Sequence, residues 1–364
     1  MRFMTRVIIT TVLMLLVAVW YKARRADRFK ITPYTKSAMD SFRKSIDLKC
    51  NHKHNIDFKP INTTKTLFTQ NGLNFTICQT LEKPKMSVHH SYNFRKDFSK
   101  KTDPFMGDIP EGLVIAHSFN EKHMLLLNKY AILPKMLLIV AKGSHFETQN
   151  VPLDFYDMEG VTLAMRIVKN PVIFFNCGQS AGASQPHKHI QVIPIESFDE
   201  AHGCHLHKRV IEFRENAKVS EGKHKLPEFN FKHELRFLDE DLTNQLSDLN
   251  ANQRDVTKNL LRIYKDILKS LGIHPEKPQY GFNFIVTKTY MLVIARSTFA
   301  HTNMREDKDL PPYRPNSMAF LGQFYSRTDE QSNNFVKEGF MNILEKCSVK
   351  EHSSFSLDQG SAEK

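Results

Sequence analysis

The sequence lacks the patterns that would place it in several common protein classes. Its five cysteines include no CxxC pair, so their spacing indicates neither a disulfide framework nor a zinc ribbon. There is no Walker A loop and no GxGxxG fingerprint, which removes the common glycine-rich phosphate-binding loops. The sequence also shows no RNA-recognition or helix-turn-helix signature, and we therefore expect no nucleic-acid partner.

One segment is dense in soft metal ligands, but its spacing argues against a metal. The stretch HGCHLH at residues 202–207 holds three histidines and a cysteine, which are residue types that bind zinc. No second ligand pair follows at a finger-like spacing. We therefore expect a polar loop there and no metal ligand in the functional site.

The bulk composition is that of an ordinary globular protein. Of the 364 residues, 41% are hydrophobic and 25% are charged, which argues against disorder throughout the chain. This length can bury one large core or two closely packed ones. The formal net charge of +12 favours a polyanionic partner, whether a nucleotide, a nucleic acid or an anionic lipid.

The N-terminal residues predict a membrane anchor. Residues 7–21 are uncharged and mostly apolar, and arginine and lysine flank them on both sides. A small-residue cleavage site is missing, which disfavours a cleaved signal peptide, so residues 1–30 predict an uncleaved single-pass anchor and a membrane location. The flanking charges favour a cytosolic location for the rest of the chain, whereas the sequons at Asn62 and Asn74 would suit a lumenal one.

The rest of the chain divides by composition and pattern. A basic stalk or linker is predicted over 31–75, a folded domain over 76–346 and a flexible tail over 347–364. Apolar runs arranged as hairpins, with helices between them, indicate an α+β fold with an antiparallel sheet and flanking helices. We predict strands at 123–131, 136–142, 171–177, 187–195, 280–288 and 290–297, and helices at 151–168, 252–272 and 331–346.

The most informative stretch is SAGASQPHKHIQVIP, residues 180–194. On a strand, alternate residues share a face, so His187, His189 and Gln191 should converge beside a loop of small residues that a ligand can approach. A neutral imidazole can attack phosphorus and carry the phosphoryl group. Glutamine can donate a hydrogen bond to a phosphate oxygen, but it offers neither an acid nor a base to water. The pattern therefore favours group transfer over hydrolysis.

These residues resemble a known family. NCGQSAGASQPHKHIQ, residues 176–191, is similar to the active-site segment of the histidine-triad superfamily in its His-x-His-x-Gln branch. The residues of this segment resemble those of the ATP adenylyltransferases, also called diadenosine tetraphosphate phosphorylases. The likeness extends over roughly residues 75–345, and it implies a histidine-triad-like fold. It also implies cleavage of diadenosine tetraphosphate by inorganic phosphate to ATP and ADP.

The resemblance implies a role for each member of the triad. His189 would attack the α-phosphorus and become adenylylated, Gln191 would stabilise the charge on the transferring phosphate, and His187 would orient its neighbours. The remaining substrate contacts would come from Asn176, Ser184, Gln185, Asn128 and Lys142. Among these, Asn176 and Ser184 would meet the α-phosphate, Asn128 the nucleoside and Lys142 the remote phosphates.

The implied partners are a dinucleotide and inorganic phosphate, with Mg²⁺ or another divalent cation neutralising the polyphosphate. The loop departs from the family in Cys177 and Gln179, where serine and proline are usual, and this leaves the donor and acceptor preference open. Two alternatives remain. One is a nucleotide-sugar phosphorylase or uridylyltransferase of the same superfamily, and the other is a membrane-tethered protein that binds nucleotides without turnover.

Overall fold

The structure is a computed structural model. It describes residues 36–51, 55–81, 103–198, 203–219, 221–274, 281–297 and 313–351. All of these residues belong to one compact unit that begins at Lys36.

The described residues form twelve strands in two sheets. In the smaller sheet the order is β1-β2-β12, with β2 antiparallel to β1 and parallel to β12. In the larger sheet the order is β3-β4-β5-β7-β6-β10-β11-β9-β8, and every neighbouring pair is antiparallel. The strands are β1 Thr63–Gln70, β2 Leu73–Thr80, β3 Val114–Ala116, β4 His123–Leu127, β5 Leu137–Ala141, β6 Pro171–Cys177, β7 His189–Pro194, β8 Gly222–His224, β9 His233–Phe237, β10 Phe282–Val286, β11 Tyr290–Ala295 and β12 Gln323–Ser326.

Helices pack beside the sheets. They are α1 Lys36–Lys49, α2 Phe155–Ile167, α3 His205–Asn216, α4 Glu240–Gln245, α5 Gln253–Ser270, α6 Ser317–Phe320, α7 Asp329–Glu338 and α8 Phe340–Lys346. The predicted α+β class, with a large antiparallel sheet and flanking helices, is therefore confirmed.

Local sequence explains the two helices nearest the centre of the sheet. The side chain of Asp154 accepts from the backbone of Asp157, and that of Asp157 accepts from the backbone of Asp154, so a capping box starts α2. Gly160 then lets α2 approach β5, because a Cβ there would lie 3.1 Å from Ile139. In α5, Asn252 caps the first turn. The apolar residues of α5 and its C-cap that recur at helical spacing are buried: Val256, Leu260, Tyr264, Ile267 and Leu271.

Three stretches differ from the sequence prediction. The predicted stalk over 31–75 contains α1 and β1, and α1 buries Met39 and Ile46 while its polar face gives the stretch its basic composition. Residues 205–207 of the HGCHLH stretch open α3 instead of forming a polar loop, and α3 buries Leu206. The helix predicted over 331–346 is two helices, because Gly339 adopts a φ of +88° that interrupts the helical path.

The prediction of a single-pass membrane anchor is corrected. Within the part of the chain that the structure describes, none of the helices combines the length and the apolar character that a membrane span requires. Residues 1–30, on which the prediction fell, lie outside the described residues. We therefore do not propose a membrane location.

Candidate active site

The triad residues lie in the middle of the large sheet, where β7 runs between β5 and β6. His189 is paired with Val140 of β5, and Gln191 is paired with Leu138. Directly opposed residues of an antiparallel pair share a face. The predicted His/Gln face is therefore continuous with an apolar patch. Its buried residues are Val114, Leu126, Leu138 and Val140, with Phe105, Ile109 and Met124 packed against them.

His189 is oriented for attack through Nε2. Its Nδ1 lies 2.8 Å from the carbonyl oxygen of His187. A carbonyl oxygen can only accept, so Nδ1 carries the proton and the lone pair of a neutral ring is on Nε2. Burial lowers the pKa of His189, while the bond to the His187 carbonyl opposes that shift. Both the tautomer and the neutral state suit a nucleophile.

His187 has both ring nitrogens bonded within the protein. Its ring is completely buried, with Nδ1 2.8 Å from Oδ2 of Asp103 and Nε2 2.7 Å from the carbonyl oxygen of Ala141. Neither nitrogen is left to contact a substrate. The ring is instead bonded to Asp103 and Ala141, and the carbonyl of the same residue is bonded to His189.

A short turn at residues 103–106 covers His187 and His189. Oδ1 of Asp103 accepts the backbone N–H of Phe105 at 2.9 Å. The ring of Phe105 lies 5.4 Å from that of His187 and 5.8 Å from that of His189, between centroids. The turn therefore supplies a carboxylate to one histidine and an aromatic cover to both. Asp103 is 84 residues away from its partner, and no spacing rule pointed to it.

Gln191 keeps its amide available. The side chain is half-buried, and within the described residues no hydrogen bond engages its amide. It lies two residues after His189 on the same face of β7. The amide could therefore donate to a phosphate oxygen held at His189, as predicted.

Asn176 lies beside the triad on β6, but its oxygen is already occupied. Oδ1 accepts from Nδ2 of Asn283 at 2.8 Å and from the backbone and hydroxyl of Ser317 at 3.0 and 2.7 Å. Arg296 holds Oδ1 of Asn283 at 2.7 Å, and burial lowers the pKa of this arginine to about 10. Nδ2 of Asn176 is the group left for a ligand.

The small-residue loop before β7 carries Ser184 and Gln185. Ser184 is exposed, and Oε1 of Gln185 is buried with no hydrogen-bond partner among the described residues. The loop turns at Gly182, whose φ is +79°, and a Cβ there would lie 2.6 Å from the carbonyl of Pro315. The loop therefore packs against the segment around Pro315, and it leads directly into the triad.

The structure does not bring Asn128 to the triad. Its Oδ1 accepts the backbone N–H of Tyr130, and its own N–H donates to Met136. Met136 is four residues before Val140, so Asn128 lies roughly 13 Å along the sheet from the level of His189. It is a turn residue of the β4–β5 hairpin.

Lys142 directly follows β5, but its ammonium group is bonded to residues 118–121. Its Nζ donates to the hydroxyl of Ser118 and to the carbonyls of Asn120 and Glu121 at 3.0 to 3.1 Å. Burial lowers its pKa, and Glu121 opposes the shift. Contact with a remote phosphate would require these bonds to break.

The opposite face of β7 carries a buried group of charges. Nζ of Lys188 lies 2.5 Å from Asp157, 2.7 Å from Glu147 and 3.0 Å from the carbonyl of Pro152. The other carboxylate oxygen of Asp157 lies 2.9 Å from Nε2 of His123. Burial raises the pKa of Asp157, but Lys188 and His123 outweigh burial and hold it well below its usual range.

Sequence comparison assigns most of this chain to two protein-family models. Residues 35–210 match the Ap4A phosphorylase N-terminal domain, and residues 227–350 match the ATP adenylyltransferase C-terminal domain. Together the two models cover the triad, the loop before it, and the Asn283 and Arg296 side chains behind it.

Two proteins of Saccharomyces cerevisiae are similar in sequence. Diadenosine 5',5'''-P1,P4-tetraphosphate phosphorylase 2 is 29% identical over 165 residues, 42% of this chain and 46% of the relative, so that match spans less than half of it. Protein APA1 is 24% identical over 296 residues, 73% of this chain and 85% of the relative.

The fold is shared with a solved structure. The crystal structure of yeast Ap4A phosphorylase Apa2 in complex with Ap4A superposes with a TM-score of 0.63 at 17% identity, over 86% of this chain and 98% of that one. The same protein in complex with AMP gives 0.60 at 19% identity, over 86% and 99%. The chain belongs to the Ap4A phosphorylase and ATP adenylyltransferase family.

Proposed function

We propose that this chain is an Ap4A phosphorylase that splits diadenosine tetraphosphate with inorganic phosphate into ATP and ADP. The observation that carries the proposal is the geometry of His189, whose Nδ1 is bonded to the His187 carbonyl and whose Nε2 is left as the nucleophilic atom. Family membership and the similarity to yeast diadenosine 5',5'''-P1,P4-tetraphosphate phosphorylase 2 support the same reaction.

In the first step, Nε2 of His189 attacks the α-phosphorus. A P–N bond forms, the bond from that phosphorus to the bridging oxygen breaks, and ATP leaves with the oxygen. The ring then carries AMP and a positive charge, which the His187 carbonyl stabilises through the proton on Nδ1. We assign Nδ2 of Asn176, the Ser184 hydroxyl and the Gln191 amide to the α-phosphate oxygens.

In the second step, an oxygen of inorganic phosphate attacks the same phosphorus. The P–N bond breaks, ADP leaves and His189 returns to its neutral form. Water competes for the adenylyl group, and it is disfavoured because Gln191 cannot accept a proton from it. Phosphate needs no such base, since it is already an anion at neutral pH.

The role of Gln191 can be tested by replacing it with histidine. We expect the Gln191→His variant to release more AMP and less ADP from the same substrate, by about tenfold in the ratio, because an ionisable ring can activate water. The products are separated by anion-exchange chromatography with and without phosphate. An unchanged AMP to ADP ratio would contradict the role given to glutamine.

The proposal as a whole is tested by incubating the protein with Ap4A and phosphate. We expect ATP and ADP in equal amounts. With substrate labelled in the α-phosphate, and with phosphate omitted, the protein should retain an adenylyl label that is stable in base and lost in acid. No turnover of Ap4A and no label on the protein would overturn the proposed function.

We propose that the divalent cation binds as part of the substrate. Among the described residues no group of three or more histidine, cysteine, aspartate or glutamate side chains is placed to hold a metal. The carboxylate nearest the triad, Asp103, is bonded to His187. The described residues therefore do not form a metal cage, and a cation would enter with the polyphosphate it neutralises.

A further inference from the structure

The two strands that carry the site, β6 and β7, stop pairing before they reach His189. β6 and β7 are paired from Pro171 opposite Pro194 up to Phe174 opposite Gln191. If the register continued, Asn176 would lie opposite His189. The ladder stops short of that pair, so the backbone of His189 on this side has no strand partner in β6.

The side chain of Gln149 occupies the gap. Its Oε1 accepts the N–H of His189 at 2.7 Å, and its Nε2 donates to the carbonyls of His189 and Asn176, both at 3.0 Å. One carboxamide thus engages three backbone groups that face the gap between the two strands. Gln149 is completely buried.

The backbone of Gln149 is hydrogen-bonded to both ends of the small-residue loop before β7. Its N–H donates to the carbonyl of Pro186 at 2.7 Å, and its carbonyl accepts the N–H of Gly178 at 3.0 Å. Pro186 ends the small-residue loop and Gly178 begins it. One residue therefore connects both ends of the loop to the nucleophile.

We infer that Gln149 is a positioning residue that holds the backbone of His189 in the orientation required for nucleotidyl transfer. The inference rests on the proposed function and deepens it. An amide is required because the gap presents one donor and two acceptors, and glutamine has both kinds of group on one rigid plane. Alanine would leave all three backbone groups buried without partners.

Kinetics of the full chain test this inference. We expect Gln149→Ala to lower kcat for Ap4A phosphorolysis by about 100-fold while KM changes less than threefold, because a small displacement of the nucleophile affects the chemical step most. The matched control is Gln323→Ala. Gln323 is also buried and bridges Gly203 and Cys78 through its amide, but it lies in the smaller sheet. An equal loss of kcat in both variants would overturn the inference.

A second variant separates positioning from simple destabilisation and remains informative if the alanine variant does not fold. In Gln149→Glu, the ionised side chain can accept but cannot donate, whereas the protonated form regains a donor. Its rate relative to wild type should therefore rise as the pH falls from 8 to 5.5. A ratio that does not change with pH would contradict the assignment.

An NMR measurement separates this inference from the proposed function. Histidine resonances of the ligand-free protein are assigned with His189→Ala and titrated with pH. Gln149→Ala, or Gln149→Glu where the alanine variant does not fold, should shift the His189 signals more than Gln323→Ala does, whether or not Ap4A is a substrate. Unshifted His189 signals would overturn the positioning role, whereas an inactive wild type with shifted signals would overturn only the proposed reaction.

Discussion

Replacing His189 with alanine should lower the rate of Ap4A phosphorolysis by about 10⁴-fold or more, since the variant has no atom that can carry the adenylyl group. The stability of the protein should change little in comparison, because the variant retains the buried contacts of Asp103 and His187 that organise the site. The measurement is the initial rate of ATP release, together with the label retained on the protein.

The matched control is His117→Ala, which removes an exposed histidine paired with Glu111 at the surface. It should leave the rate within twofold of wild type. In the wild type, the acid limb of kcat/KM should lie below pH 6.5, the ordinary histidine value, because burial lowers the pKa of His189. An adenylyl label on the His189→Ala protein would refute the assignment of the nucleophile.

Replacing Asp157 with asparagine should destabilise the fold by about 3–5 kcal/mol, the range for breaking a buried ion pair from one side. Asparagine keeps the volume but removes the charge that balances Lys188 and His123. Lys188 then retains Glu147 and the Pro152 carbonyl. The measurement is the free energy of unfolding in urea at pH 7.

The exposed pair of Lys135 and Asp47 provides the control. Asp47→Asn should cost no more than about 1 kcal/mol, because solvent screens that pair. The pH dependence has a defined sign. The native-state pKa of Asp157 is lowered, so its contribution is fully present above about pH 4 and is lost as the pH falls toward the native value. Equal effects of the two substitutions would contradict the buried charge group.

Local patterns predicted the elements that depend on local rules. The α5 helix followed from apolar spacing and a glycine stop, and its observed bounds, Gln253–Ser270, lie within two residues of the prediction. The shared face of His187, His189 and Gln191 followed from strand alternation. Both features are determined by residues a few positions apart, and periodicity reports such relations well.

The supporting residues could not be predicted in this way. Asp103 meets His187 across 84 residues, and Gln149 meets His189 across 40. Their contacts follow from the order of strands in the sheet, which no periodicity records. The position of Asn128 could not be predicted for the same reason, because the sequence does not show at which end of its hairpin a residue lies.

The pairing of β6 with β10 has a consequence for how this protein can be divided. β6 belongs to the stretch that matches the N-terminal family domain and β10 to the stretch that matches the C-terminal one, yet they are adjacent strands of one sheet. Cutting the chain between the two stretches would expose a central strand edge on each fragment, and such edges pair with other chains. The two matched stretches therefore share one sheet, and we expect neither to fold alone.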